Sequence, residues 1–214
     1  MKKMLFSLLA ICVTAGGFAQ NEKYVKAMEQ LVPAVDTTRS VDGLTDLANS
    51  FERIANAEKT QWLPYYYAAV CLINKANTLY SMQQMDQIDA VMDKAEPLLK
   101  KAQELEPENS EIYCAFKMLN TGKMMADPMN RYMTYGPAAA EALEKAKALN
   151  PENPRVYLLE GTDKYYTPEQ FGGSKEEAKK LFLLSKEKFL VAKPASSITP
   201  SWGLPQVMYF LSLQ

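Results

Sequence analysis

The side chains that most often carry chemistry are sparse in this chain, and their spacing excludes more than it offers. Histidine is absent from all 214 residues. That removes Ser–His and Cys–His nucleophile pairs, the HExxH zinc site and imidazole as a general base. Cysteines stand at 12, 71 and 114, with no C-x-x-C spacing for a zinc or redox pair. Neither a P-loop nor a dinucleotide fingerprint occurs. Acidic residues are spread as on any soluble helical protein, and no two stand out as a glycosidase pair. The expectation is a binding protein and not an enzyme, with no cofactor and no metal.

Residue types suited to recognition are more evident. Residues 118–135 hold Met118, Met124, Met125, Met129 and Met133, together with Arg131, Tyr132 and Tyr135. Methionine-rich surfaces repack around different partners, and Tyr and Arg are favoured interface anchors. Methionine also fills irregular cores, so the same run can cover a groove between helices. Tyr65, Tyr66 and Tyr67 point about 100° apart if helical. The run Phe171-Gly172-Gly173-Ser174 can present backbone N–H groups to an anion. Its structural reading is a glycine turn followed by a capping box of Ser174 with Glu177.

The elements that must position these residues are helices. Glycine numbers only nine, and Ala, Leu, Lys, Glu, Met and Gln, which lose little freedom in a helix, are plentiful. The chain length fits one domain or a short repeat array. The first 19 residues read as a secretory signal: Lys2 and Lys3, an apolar run over residues 4–13, and Gly17-Phe18-Ala19 with small residues at −3 and −1. The mature chain is expected to begin at Gln20, to be periplasmic or secreted, and to contain no integral membrane segment. Cleavage leaves 22 basic against 25 acidic side chains, a net charge of −3, interspersed and without a basic stripe. Nucleic-acid binding and polybasic membrane attraction lack their electrostatic footprint. An exported compartment permits a bond between Cys71 and Cys114. Both sit in apolar helical stretches, which favours two buried, inert thiols.

Sliding the chain against itself exposes a repeat. Residues 101–113 match residues 145–157 at a constant offset of 44, sharing Lys, Ala, Leu, Pro-Glu-Asn and Tyr. Self-similarity at such a period marks stacked-repeat folds. The shared segment ends one helix before a proline and caps the next: Asn109 or Ser110 in the first copy, Asn153 with Pro154 at the first helical position in the second.

These residues resemble the tetratricopeptide (TPR) family. The second-helix pattern of small, large, small and proline stands in Ala95, Leu99, Ala102 and Pro107, and again in Ala139, Leu143, Ala146 and Pro151. Ala178, Phe182 and Ser185 form a third copy without the proline. Tyr65 with Ala69, and Tyr157 with Gly161, give the first-helix pattern, while the middle copy has Lys117 where a small residue belongs. The units exceed the usual 34 residues, with extra residues expected between the paired helices. Asp127-Pro128-Met129 and residues 167–173 are similar to small exported TPR-like proteins of Bacteroidetes-type bacteria.

The resemblance implies an all-α, right-handed α-solenoid of TPR-like helical hairpins with a C-terminal closing helix. Residues 20–214 form one repeat domain with units at about 22–57, 62–106, 110–150 and 154–190, closed by residues 202–213. In that register Tyr66, Val70, Cys114, Met118, Arg155, Leu158, Thr162 and Tyr165 line the concave groove. Lysine and asparagine of the carboxylate-clamp type are missing there, so an apolar peptide or a flat small ligand suits the groove better. The leading expectation is a scaffold that binds another envelope or secreted protein, or an apolar peptide, through the concave face. The alternative is a periplasmic small-molecule binding protein associated with an envelope transport system.

Overall fold

The computed structural model describes residues 12–213 and is all-helical. Its helices are α1 (Cys12–Val35), α2 (Val41–Ala57), α3 (Trp62–Ser81), α4 (Ile88–Leu105), α5 (Ser110–Ala126), α6 (Pro128–Leu149), α7 (Pro154–Tyr166), α8 (Lys175–Val191) and α9 (Leu204–Ser212). Single 3-10 turns stand at Met85–Gln87 and Glu169–Phe171. The basic start and most of the apolar run of the expected signal lie outside the described residues. No helix among the described residues is long and apolar enough to cross a membrane.

Local chemistry explains where the helices start. Asn109 accepts from the Glu111 N–H, Asn153 from the Arg155 N–H at 2.9 Å, and Ser174 from the Glu177 N–H. Each satisfies an orphan donor of the first turn. Half of the expected box at Ser174 is absent, because the Glu177 carboxylate pairs with Lys164 at 2.7 Å instead. The glycine turn before it holds no free anion nest. The N–H groups of Gly172, Gly173 and Ser174 donate to the carbonyls of Glu169, Pro168 and Lys164. Gly173 is required by contact, since a Cβ there would sit 1.7 Å from the Thr167 carbonyl oxygen.

Each helix packs on its successor, and α1, α3, α5 and α7 also touch in series. The extra residues expected between paired helices form connecting loops in two units, residues 82–87 between α3 and α4 and residues 167–174 between α7 and α8, but not in the third. Helices α5 and α6 are joined by Asp127 alone. Pro128 opens α6, where its missing N–H costs nothing. In that unit the added length is helix, which carries residues 128–135 beyond the covered part of the core.

Small residues set the close approaches. Ala95, Ala102, Ala146 and Ala178 are fully buried. A Cβ on Gly161 of α7 would stand 2.7 Å from the Phe182 ring of α8. Lys117, which replaces a small residue, is buried and reaches Asp163 of α7 at 2.5 Å. Asn153 also donates to Ser110 Oγ at 2.9 Å, and Ser110 donates to the Ala146 carbonyl at 2.8 Å, so the matched segments of the 44-residue repeat are bonded to each other. Because Ala102 and Ala146 occupy equivalent contacts, Leu at either should overpack the helix pair and cost about 1–3 kcal/mol. Urea melts check this, and an unchanged midpoint in both variants would contradict the equivalence.

Cys71 and Cys114 are separate buried thiols. Burial pushes the Cys71 thiol up to about 12 and raises that of Cys114 as well. Neither is a nucleophile at neutral pH, because the thiolate is the reactive form.

Candidate functional site

The groove face, which the sequence leaves either open to a partner or filled by the chain itself, is filled by the chain's own C-terminal part. Tyr66 is 0% exposed. Its hydroxyl accepts from the Trp202 indole N–H at 2.9 Å and donates to the Glu111 carboxylate at 3.3 Å. Arg155 donates to Glu111 at 3.0 Å and to the Pro200 carbonyl at 2.6 Å. Its guanidinium lies 4.9 Å from the Trp202 ring and 5.4 Å from Phe189. Tyr67 stacks on Phe51 at 5.0 Å and donates to the Ile198 carbonyl at 2.9 Å. Residues 193–203 thus run across the former groove, held by a buried polar network from α3, α5 and α7. Burial raises the carboxyl pKa of Glu111 against the pull of Arg155, and raises the phenol of Tyr66.

The groove positions are corrected accordingly. Val70 and Leu158 are fully buried in the main core, and Cys114 lies in a second cluster with Leu143, Ala146, Val156, Tyr157 and Leu159. Met118 packs between the two clusters, half-buried. Thr162 turns its hydroxyl onto the Leu158 carbonyl at 2.8 Å. Tyr66 and Arg155 do meet across one face, but as anchors of the covering segment. Tyr165 alone among these residues reaches a cleft that remains open.

That cleft lies between the end of α7, the start of α8 and α9. Its cavity has a volume of about 240 Å³ and is lined by Tyr165, Lys175, Glu176, Lys179 and Leu213. Tyr165 links it to a cluster of neighbouring aromatic rings. Tyr165 meets Tyr166 at 5.1 Å and Phe210 at 5.3 Å, Tyr166 meets Phe210 edge-on at 5.9 Å, and Tyr209 meets Phe210 at 5.7 Å. Phe210 stacks flat on buried Phe182 at 4.7 Å, which fixes the shelf to the core. Tyr166 and Tyr209 remain 67% and 57% exposed, a large apolar area for a monomer to leave in water. Lys175 holds its ammonium 5.5 Å from the Tyr165 ring centre. Burial, then the neighbouring Tyr209 and Tyr165, raise the Tyr166 phenol, which stays protonated at neutral pH.

The methionine-rich run forms a second exposed patch. Met129 and Met133 are 93% and 82% exposed, and Tyr132 is also exposed. Arg131 is committed: it binds both oxygens of Asp89, at 2.5 and 2.8 Å, and also donates to the Lys123 carbonyl. The guanidinium holds the Asp89 carboxyl below its ordinary range. Tyr135 is half-buried under the Lys123 ammonium, which pairs with Glu96. Tyr132 alone of these three residues is offered outward. Tyr166, Tyr209 and Lys179 did not enter the sequence-derived site. The repeat register stops at the helix ends, and α9 comes to the cleft from outside the repeats.

Fold and cleft together define a row of packed helices carrying an aromatic, cation-rimmed recess at one end. No family model matches the sequence, and no curated protein does. Among solved structures, the HusA haemophore from Porphyromonas gingivalis is 33% identical, with a TM-score of 0.78, and the alignment covers 89% of this chain and 92% of that one. The chain belongs to the family of that haemophore. Membership of a TPR family is not shown, and the all-helical architecture stands without the solenoid assignment.

Proposed function

We propose that this chain is an exported binding protein for haem-class ligands, holding a flat tetrapyrrole ring against the shelf of Tyr165, Tyr166 and Tyr209, backed by buried Phe210. The observation that carries the reading is this exposed aromatic cleft in a chain whose family includes a haemophore. Flat rings gain from stacked and edge-on aromatic contacts beyond the area they bury. Ligand sites are concave and mostly apolar, with a few placed polar groups. The chain has no histidine, so an imidazole–iron bond is unavailable. The role is binding without catalysis, in the periplasm or outside the cell, with the ligand passed on to an envelope protein. The helices act as a TPR-like, right-handed solenoid whose concave side is stiffened by its own C-terminal segment and whose end presents the ligand.

Titration of haem against the wild-type chain and the Tyr166→Ala and Tyr209→Ala variants tests the reading. Loss of either exposed ring should weaken binding by about 1–2 kcal/mol, as loss of an interface anchor does. Stability should change by under about 1 kcal/mol, because neither ring is core. Unchanged affinity in both variants would remove the shelf as the site. A second reading, docking of a partner protein on Met129, Tyr132 and Met133, is favoured by the exposure of those three side chains on one short stretch of α6.

A further inference from the structure

The recess has a charge pattern that the aromatic shelf does not account for. Lys175 and Lys179 are four residues apart on α8, so their side chains lie on one face of the helix. Both line the recess, and neither forms an ion pair among the described residues. Two nearby lysines are committed elsewhere: Lys164 pairs with Glu177 and Lys188 with Glu152. Glu176 is the one acidic side chain lining the same recess among the described residues, so that lining carries two basic side chains against one acidic. The first turn of α8 adds its own partial positive charge. A volume of about 240 Å³ is below the roughly 300–1,000 Å³ that encloses a drug-sized ligand. It admits the edge of a large flat ring, not the whole of it. Tyr166 and Tyr209 stand outside, where the rest of the ring would lie.

We propose that Lys175 and Lys179 form a carboxylate clamp, so that the chain selects flat macrocycles bearing acidic side chains on one edge and inserts that edge into the recess. This deepens the proposed function and rests on the aromatic shelf being the ligand site. Lys175, held over the Tyr165 ring, takes the carboxylate nearer the shelf, and Lys179, one turn along α8, takes the second. An ammonium over an aromatic face is already partly desolvated, which strengthens its bond to an incoming anion.

The test uses the full chain with protoporphyrin IX and its dimethyl ester, which share a ring and differ in charge. The wild-type chain should bind the diacid about tenfold more tightly than the ester, since each partly exposed ion pair adds a modest factor. The preference should shrink as salt is raised. A Lys175→Gln, Lys179→Gln double variant should lose that tenfold for the diacid and bind the ester as before. A Lys175→Arg, Lys179→Arg variant should restore the preference. Circular dichroism should show all variants folded, because both side chains are exposed. Equal binding of diacid and ester by the wild-type chain overturns the clamp and leaves the shelf standing. An equal loss for both ligands in the glutamine variant also overturns it. Failure of the wild-type chain to bind either ligand overturns the shelf, and the clamp with it.

Discussion

Replacing Arg155 with Ala should destabilise the protein by about 3–5 kcal/mol, the cost of leaving one member of a buried ion pair without its partner. The side chain is 3% exposed and does four things at once. It neutralises Glu111, holds the Pro200 carbonyl, and lies against the rings of Trp202 and Phe189. Truncation strands the Glu111 carboxylate, whose pKa burial already raises. Without the guanidinium that pKa rises further. A carboxyl whose folded pKa lies above its unfolded value is easier to accommodate when protonated. The deficit should therefore be largest at neutral pH and shrink as the pH falls through the raised pKa toward the ordinary value of 4.5. Replacing both partners, Arg155→Met with Glu111→Leu, should cost far less than Arg155→Ala alone. Chemical denaturation of the three variants at pH 5 and pH 7 reads all of this. A deficit under about 1 kcal/mol in the single variant would mean the pair is not buried in solution.

Trp202→Ala should cost a further 3–5 kcal/mol or so, the range for removing a large buried aromatic side chain. The indole is 6% exposed, covers Tyr66 and gives that phenol its hydrogen bond. Trp202→Phe separates the two contributions, since it keeps most of the ring and removes the N–H. The phenylalanine variant should lose only about 1–3 kcal/mol, the cost of an unmet buried hydrogen bond. If both variants melt with the wild type, residues 193–203 do not cover the groove in solution, and Tyr66 would again be a candidate for ligand contact.

Much of the helical frame was legible from local signals. Asn109, Asn153 and Ser174 were readable as caps because capping depends on the residue and the next two or three positions. The 44-residue offset placed Ala102 and Ala146 at equivalent buried contacts because burial of a small residue repeats with the unit. The state of the concave face was not legible in the same way. Tyr66 has the composition of an exposed anchor, and what buries it is Trp202, 136 residues away. No periodicity links those two positions. Tyr66 and Arg155 do lie on one face, where they meet through Glu111. The shelf was missed for a related reason. Tyr166 ends α7, and Tyr209 belongs to a helix with no counterpart in the repeat. Their convergence is tertiary, and only Tyr165 fell within the reach of the pattern.

The covering segment also ties the two ends of the helix row together. Ser197 bonds to Glu29 of α1, the Gly203 N–H to Asp36 just after it, and Arg155 of α7 to Pro200 in between. A linear array with nearest-neighbour contacts frays from its ends, because terminal units have one neighbour instead of two. Here the last residues of the chain are cross-braced to the first helix, so an end cannot open without the brace opening too. Amide exchange should then show protection in α1 close to that of α5, where an unbraced row would show a gradient falling toward the N-terminus. The brace also dates the final folding step. It joins residues about 170 positions apart in sequence, and such distant contacts form late because the loop they close is costly. A chain lacking its last twenty or so residues lacks every one of these bonds, so the brace can form only once the C-terminus has emerged.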